Sequence, residues 1–415
     1  MERSSHPPSK CMHRELRALR FVCLALPFVN ITAQANAEQH TTASANGFDG
    51  SLINCLQAIP QWQQFLDTPT GAWLGFISAV YWLAMLACFT VTASISNRFG
   101  RKAGLYIGLV LVFIGVAIQA AAVNTAMFVV ARAILGFSAG FWGSTAPVLI
   151  SEIAFPSHRE VATGCYQCGF FVGGTVAAFV TLGSLYLESD WSWRIPSLFQ
   201  VFLPLVLLPG VIAAPQSPRW LISKGRHEEA RQKIAKWHAG GDLSAPIVAQ
   251  ELREIEDVIS MESSVANSAS YLDLVKGPGN RKRLLVSLTL GLFSQWGGNG
   301  VASYYLTPIL ISVSVTDASL QLTITGCLQV WNFACAIGAA ACIKRLGKRT
   351  LFLTSAAIMF VSFVDHGSVC EFRQVSLCCD WDRGSTVHLH LFDGIRHCLV
   401  STYRYHPTHV LRSSA

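Results

Sequence analysis

Asn97-Arg98-Phe99-Gly100-Arg101-Lys102 is a short basic turn between two long apolar runs. A near-copy stands much later, again between apolar runs, at Lys344-Arg345-Leu346-Gly347-Lys348-Arg349. In each copy a glycine allows the tight turn, and Arg and Lys cluster around it. One basic turn is ordinary in a membrane protein, because positive charge gathers between spans on one side. Two copies, after the second and the eighth apolar run, indicate a duplicated six-span unit.

The composition is typical of a membrane protein. Of 415 residues, 52% are hydrophobic and only 13% are charged. A soluble domain carries about a quarter charged residues, so we expect an all-α integral membrane protein. The net charge of +7 does not indicate nucleic-acid binding, because the basic residues lie between apolar runs. The 13 cysteines are scattered, and we expect neither a metal site nor a cofactor.

Long apolar runs predict where the chain crosses the bilayer, since a span needs about 20 apolar residues. A run from Phe21 to Ile31 is short for a span, and polar residues at 33–44 interrupt it, so we expect an irregular first span. Clear spans are predicted at 72–96, 104–122, 126–150, 161–186, 195–214, 284–312, 320–342 and 350–364.

These runs divide the chain into five expected segments. Residues 1–44 form the N-terminus and the irregular first span, and residues 45–214 form an N-terminal transmembrane bundle. Residues 215–283 form a charged helical loop, 284–364 form a partial C-terminal bundle, and 365–415 form a tail that is not native to the fold. A chain that stops after its ninth span is not expected to transport well, because the faces of a three-span second bundle lack partners.

The distribution of Lys and Arg predicts which loops face the cytoplasm. Loops 97–103, 156–160, 217–283 and 344–349 together hold 19 of these residues, whereas the alternate loops hold only Arg194. By the positive-inside rule, the basic loops and the N-terminus are cytoplasmic.

Several motifs resemble the sugar porter branch of the major facilitator superfamily, especially its fungal members. The basic turn is similar to the family's Asp-Arg-x-Gly-Arg-Arg/Lys loop, with Asn97 in place of Asp. Residues 215–221 resemble Pro-Glu-Ser-Pro-Arg-Trp-Leu, with Gln216 in place of Glu. Further matches lie at 132–140, 147–159, 193–196 and 295–305. The resemblance covers roughly residues 45–364 and implies a major facilitator fold, with an N-terminal six-helix bundle and an incomplete C-terminal bundle.

The resemblance also implies a cytoplasmic gate, an ion-pair latch that favours one state of the transport cycle. Its expected members are Arg98, Gly100, Arg101, Glu152, Arg159, Arg219, Arg345 and Arg349. The alternative is a solvated charge cluster, which stabilises little. Asn97, Gln216 and Lys344 stand where the family has acids, so we expect a looser latch.

Amides inside spans are the candidate sugar ligands. Gln167, Gln295 and Asn332 lie in predicted spans, where an unsatisfied polar group is costly, and amides give paired hydrogen bonds to hydroxyls. The resemblance gives each a sugar-contacting role. Tyr304 and Tyr305 are candidates for the cavity mouth, although tyrosines at helix interfaces are commoner.

Asp49 and Arg132 are the candidate proton-coupling pair. Gly47-Phe48-Asp49-Gly50 resembles the Gly-Tyr/Phe-Asp of proton-coupled sugar porters, and Arg132 matches the arginine that pairs with this aspartate in the family. An acid and a base at span depth are both costly, which favours a functional role. The alternative is a static buried salt bridge, which is all that a facilitative carrier needs.

These features predict transmembrane transport of a hexose or disaccharide by proton symport with alternating access. We expect a plasma-membrane protein whose partners are a sugar, a proton and the lipid bilayer, and not nucleic acid. Two alternatives stay open: a sugar sensor or inactive truncated remnant that does not transport, and an exporter of a small metabolite. No nucleotide loop, metal pair or nucleophile elbow in the sequence points to an enzyme.

Overall fold

Helices are the only regular elements in the part of the chain that the computed structural model describes. That part comprises residues 32–69, 71–154, 166, 168–266, 277–296, 303–312, 315–346, 349–350 and 353–361. Its helices are α1 (Thr32–Leu56), α2 (Pro60–Phe65), α3 (Gly71–Phe99), α4 (Arg101–Ala120), α5 (Thr125–Ile153), α6 (Cys168–Ser184), α7 (Trp191–Phe199), α8 (Phe202–Ala213), α9 (Pro218–Ser223), α10 (His227–His238), α11 (Pro246–Ala266), α12 (Pro278–Trp296), α13 (Leu306–Ser312) and α14 (Ala318–Leu346). The predicted tail at 365–415 lies outside the described residues.

Among the described residues, five helical stretches are long and apolar enough to cross a membrane. They are α3, α4, α5, the joined pair α7 and α8, and residues Ala318–Ala340 of α14. Each coincides with a predicted span, and the ends agree within a few residues. The pair α7 and α8 is interrupted at Gln200 and Val201, because Pro204 has no amide hydrogen for the carbonyl of Gln200.

The first span differs from the prediction. Helix α1 runs unbroken from Thr32 to Leu56, so the polar residues at 33–44 do not interrupt it. Thr42, Asp49 and Asn54 are buried in the protein. A helix enclosed by its neighbours meets little lipid and needs no continuous apolar surface. The apolar-run criterion therefore failed for this span because it assumes contact with lipid.

Glycines allow α1 to pack very closely against α6. A Cβ atom on Gly47 would lie 1.9 Å from the backbone oxygen of Phe170, and one on Gly173 would lie 1.8 Å from that of Ser44. Such small-residue contacts are typical of membrane helix pairs. They fix α1, and with it Asp49, in the helix bundle.

Small residues have the same role in α5. A Cβ atom on Gly136 would lie 2.1 Å from the backbone oxygen of Tyr81 on α3. The hydroxyl of Ser138 donates to the backbone oxygen of Gly108 on α4, at 2.7 Å. Helix packing is thus sufficient to explain Gly136, and the same packing sets Arg132 beside Tyr81.

Helix α14 packs antiparallel against α6. Leu322, near the start of α14, lies in a cluster with Ala178, near the end of α6. Ala340, near the end of α14, lies in a cluster with Cys168 at the start of α6. The end of α14 that leads into the second basic turn is therefore beside the start of α6.

The start of α6 lies at the same end of the molecule as the first basic turn. Tyr166, just before α6, belongs to the same core cluster as Ile153 at the end of α5. Glu152 at that end pairs with Arg101 of the basic turn. The first basic turn and the end of α14 thus share one side of the molecule, as a duplicated unit requires.

The charged segment after α8 forms a small helical unit with its own core. Leu221 and Ile222 of α9 pack with Ala230 of α10 and with apolar residues of α11. A second cluster joins Ile234 of α10 to Val248 of α11. The predicted helical loop is therefore an ordered group of helices beside the basic turn.

Candidate substrate and proton site

The structure brings Asp49 and Arg132 together in the buried part of the bundle. Arg132 Nη1 donates to the backbone oxygen of Asp49 at 3.3 Å, and the guanidinium carbon lies 4.8 Å from the centre of the Tyr81 ring. Arg132 Nε is buried and has no hydrogen-bond partner in the described part of the chain. The arginine therefore neighbours the acid, but this hydrogen bond holds the backbone of Asp49.

The carboxylate of Asp49 is held by Gln200, a residue that the sequence analysis missed. Gln200 Nε2 donates to Asp49 Oδ1 at 2.9 Å, and both side chains are buried. Gln200 stands between Phe199 and Val201 in an apolar run. The same criterion that selected the other amides also applies to Gln200: a polar side chain inside a predicted span is costly to bury.

Gln200→Leu is expected to destabilise the protein more than Gln119→Leu does. A hydrogen bond to a charged group contributes about 1.5–3 kcal/mol, against about 0.5–1.5 kcal/mol for a neutral pair. Gln119 is a matched control, because it is a buried amide that donates to a neutral hydroxyl, Ser197 Oγ, at 3.1 Å. Denaturant unfolding of the purified chain at pH 8 measures both. The extra loss of stability in Gln200→Leu, relative to Gln119→Leu, should vanish when Asp49 is replaced by Asn. If it persists there, Gln200 does not stabilise the protein through the charge of Asp49.

The predicted sugar amides have different environments. Gln295 is exposed near the end of α12, and Asn332 is partly buried on α14. Asn332 Oδ1 is itself buried and has no partner among the residues that the structure describes. Gln167 lies outside that part of the chain, so the meeting of all three amides in one cavity stays a prediction.

Further polar residues bridge α1 and α14. Gln329, one turn before Asn332, donates through Nε2 to Ser51 Oγ at 3.3 Å. Gly174 of α6 makes room for this contact, since a Cβ there would lie within 2.9 Å of both side chains. Within the described ranges, buried amide oxygens without a partner occur on both helices and just after α1: Asn46 Oδ1, Asn54 Oδ1, Gln57 Oε1, Gln329 Oε1 and Asn332 Oδ1.

The two tyrosines touch the first half of the chain at the end away from the basic turn. Gln57 Nε2 donates to the backbone oxygen of Tyr304 at 3.2 Å, and the Tyr304 ring lies 5.9 Å from that of Trp82. A Cβ on Gly75 would lie 3.0 Å from the Tyr305 hydroxyl. Tyr304 and Tyr305, just before α13, therefore lie against Gln57 at the end of α1 and against α3.

The predicted gate contains one strong ion pair. Arg101 and Glu152 form two hydrogen bonds, Nε to Oε2 at 3.0 Å and Nη2 to Oε1 at 2.9 Å. Their side chains are only 14% and 8% exposed. Arg101 Nη1 also reaches Asn97 Oδ1 at 3.4 Å. The paired geometry and the burial make this contact different from a solvated charge cluster.

The amide at position 216 keeps the basic turn in place. Gly100 has φ of +93°, a conformation that favours glycine. A Cβ there would lie 2.6 Å from Gln216 Nε2. Gln216 Oε1 accepts from the backbone N–H of Lys102 at 3.5 Å, in the first turn of α4. Asn97 and Gln216 therefore supply neutral amide acceptors at positions where the family resemblance expects carboxylates.

In the described part of the chain, Arg98, Arg219 and Arg349 form no ion pair with Glu152. Arg98 and Arg349 are exposed. Arg219 pairs with Glu262 of α11. Arg345 lies in the last turn of α14, and Arg159 lies outside the described residues.

The chain matches the family model described as "Sugar (and other) transporter" over residues 30–385. It is similar to the high-affinity glucose transporter of Kluyveromyces lactis, with 29% identity over 314 residues, 76% of this chain and 56% of that protein. It is also similar to the MFS-type transporter criB of Aspergillus cristatus, with 30% identity over 269 residues, 64% of this chain and 57% of that protein. The chain therefore spans little more than half the length of these relatives.

Solved structures show the same fold. The proton:xylose symporter XylE bound to 6-bromo-6-deoxy-D-glucose matches with a TM-score of 0.75 and 19% identity, over 90% of this chain and 81% of that chain. The partially occluded inward open conformation of the xylose transporter XylE from E. coli matches with a TM-score of 0.69 and 19% identity, over 90% of this chain and 85% of that chain. The predicted major facilitator fold is confirmed.

Proposed function

The chain belongs to the sugar (and other) transporter family, and from this membership we propose that it moves a hexose or disaccharide across a membrane by proton symport. Residues 45–214 act as the N-terminal bundle and 284–364 as part of the second bundle. The two bundles rock about a central site, which opens to each side in turn. The family consists of transporters, so an enzymatic role is not proposed.

The observation that carries the proposal is a set of amide oxygens without a partner in the described part of the chain: Asn46 and Asn54 on α1, Gln57 just after it, and Gln329 and Asn332 on α14. A buried acceptor without a donor is costly, and the hydroxyls of a sugar are donors that can satisfy it. The substrate amides of this proposal are Gln167, Gln295 and Asn332, joined by Gln329. An exporter of an apolar metabolite would gain nothing from these acceptors.

The proposed proton site is Asp49. Its neighbours, Arg132 and Gln200, hold the backbone and the carboxylate respectively. In the cycle, rocking of the bundles changes the distance between Arg132 and the carboxylate, so that proton binding alternates with access. Proton binding and sugar binding then occur in the same state.

We also propose an orientation. The protein lies in the plasma membrane. The basic turn, the α9–α11 unit and the N-terminus are on the cytoplasmic side, because positive charge is concentrated on that side of membrane proteins. In this orientation Tyr304 and Tyr305, which contact Gln57 and α3 at the other end, lie toward the outer side.

Sugar binding by the purified chain tests the proposal. Isothermal titration calorimetry with D-glucose and with maltose should detect saturable binding. Each of Gln295→Ala, Gln329→Ala and Asn332→Ala is expected to raise Kd about fivefold, the effect of one hydrogen bond of about 1 kcal/mol. Gln321→Ala is the control, because this buried amide of α14 bonds the backbone oxygen of Val315 instead. Absence of binding to both sugars, or unchanged Kd in all three variants, would refute the proposal.

A sugar sensor is the second candidate, and it shares the binding site. It is favoured if the chain binds sugar with these amides and the affinity does not depend on pH. In that case Asp49 and Arg132 form a static buried contact and not a proton site.

A further inference from the structure

His238, the last residue of α10, lies between the loop helices and a membrane helix. Its Nδ1 is 2.6 Å from Oε2 of Glu251 on α11. Its Nε2 is 2.9 Å from the backbone oxygen of Ile153, the last residue of α5. The side chains of His238 and Glu251 are only 8% and 11% exposed. One imidazole thus joins three helices.

Both partners of the ring are hydrogen-bond acceptors when Glu251 is charged. A neutral imidazole has one N–H and can donate to only one of them, whereas an imidazolium donates to both. The bond can also form if the carboxyl group keeps the proton and donates to Nδ1. In either arrangement, the bonded pair of His238 and Glu251 carries one more proton than a neutral imidazole and a charged carboxylate carry together.

The surroundings favour that extra proton. Glu251 Oε1 is buried and has no partner in the described part of the chain, so a charge on this carboxylate needs a cation beside it. His238 and Ile153 both end helices, and the carbonyl groups at a helix C-terminus favour positive charge. Among the nearby charged groups, Glu152 pairs with Arg101, Glu254 bonds Gln250, and Lys236 lies over the Trp237 ring.

We propose that His238, Glu251 and the Ile153 carbonyl form a pH-responsive strap. When the strap holds its extra proton, it docks α10 and α11 onto the end of α5, and when it loses the proton, one of its two hydrogen bonds is lost and the docking loosens. The strap lies one residue from Glu152, the partner of Arg101. A regulatory effect on the gate rests on the proposed function, whereas the docking itself does not.

The direction of the pH effect follows from the proton count. An unperturbed histidine loses its proton near pH 6.5, so docking is fully present in acid and weakens as the pH rises through the neutral range. A one-proton linkage changes the docking equilibrium by at most about tenfold per pH unit. Under the proposed orientation, the strap responds to cytoplasmic pH.

Hydrogen exchange of the purified chain tests the strap. The amide protection of α10 and of the last turn of α5 is measured between about pH 6 and pH 8.5, after correction for the intrinsic rates of an unstructured peptide. We expect protection to fall with rising pH, by up to about tenfold per unit. His238→Gln should remove this slope, because an amide does not titrate.

His227→Gln is the matched control. His227 Nδ1 lies 2.7 Å from Glu256 Oε1, which joins the same pair of helices, but the two side chains are 52% and 37% exposed. This variant should keep the slope. A pH-independent protection in the unmodified chain, or an equal slope in His238→Gln, would overturn the proposal.

A second measurement covers the case in which His238→Gln does not fold. Nitrogen NMR of the unmodified chain with labelled histidine shows how many ring nitrogens of each residue carry a proton. His238 should lose its extra proton, or its bond to the protonated Glu251, over the pH range in which protection falls. A His238 spectrum that stays constant over that range would contradict the strap. Neither measurement involves sugar, so failure of the strap leaves the transport proposal untouched.

Discussion

Sugar binding by the Asp49→Asn variant is expected to be independent of pH, whereas binding by the unmodified chain tightens in acid. Asparagine has nearly the size of aspartate and can still accept a hydrogen bond from Gln200, but it cannot gain or lose a proton. The substitution therefore removes the titration while it keeps the shape of the site.

The expected slope follows from linkage. If the state that binds sugar also binds one proton, each ligand raises the affinity for the other by the same factor. A one-proton linkage changes the sugar Kd by at most about tenfold per pH unit. Since the asparagine side chain of the variant resembles the protonated acid, the variant should bind sugar as tightly as the unmodified chain does in acid.

Calorimetry of the purified chain between about pH 5.5 and pH 8 measures this slope. Repeating it in buffers of different ionisation enthalpy counts the protons taken up with the sugar. Asp190→Asn is the control. It makes the same acid-to-amide change at an exposed aspartate, which pairs with Arg194. Proton uptake that survives in Asp49→Asn would mean that the proton site lies elsewhere.

The spans that were predicted correctly are those with a continuous apolar run. Helices α3, α4 and α5 are continuous apolar runs, and their ends are marked by the basic turn and by Asn124, whose side chain caps α5. Helix α1 is enclosed by its neighbours, so it can carry polar residues. Because of these residues it contains no apolar run that hydropathy could detect. The Gly-Phe-Asp resemblance, and not hydropathy, was the sign of a first span in this region.

Contacts within the candidate site were harder to predict, because they depend on helix rotation. Asp49 and Arg132 were expected to meet, and they do, but the carboxylate faces Gln200, 151 residues further on. Gln329 and Asn332 stand one turn apart on α14, and only one of them was selected. A residue's place in a span shows its depth, whereas its neighbours depend on packing such as that of Gly47 and Gly173.

Breaking the Arg101–Glu152 pair is expected to be the most destabilising change at the basic turn. Removing one partner of a buried ion pair costs about 3–5 kcal/mol, because it leaves an uncompensated charge. The pair is nearly buried and doubly hydrogen-bonded. Glu152→Ala should therefore lower the free energy of unfolding by about 3 kcal/mol.

The ion pair of Arg219 and Glu262 is a matched control, because it lies on the same side of the molecule as the basic turn. Their side chains are 35% and 59% exposed. Exposed pairs contribute about 0.2–1 kcal/mol, so Glu262→Ala should change stability by less than about 1 kcal/mol. The contrast separates a buried latch from a solvated charge cluster, the two interpretations that the sequence left open.

A double-mutant cycle isolates the interaction from other effects of the substitutions. Denaturant unfolding is measured for Arg101→Ala, Glu152→Ala and the double variant. The double variant should be more stable than the sum of the single losses predicts, because it no longer contains an unpaired charge. High salt should reduce the Arg219–Glu262 contribution while it affects the buried pair much less. Additive losses in the cycle would show that Arg101 and Glu152 are solvated independently, and that the turn is held by Gln216 and Asn97 instead.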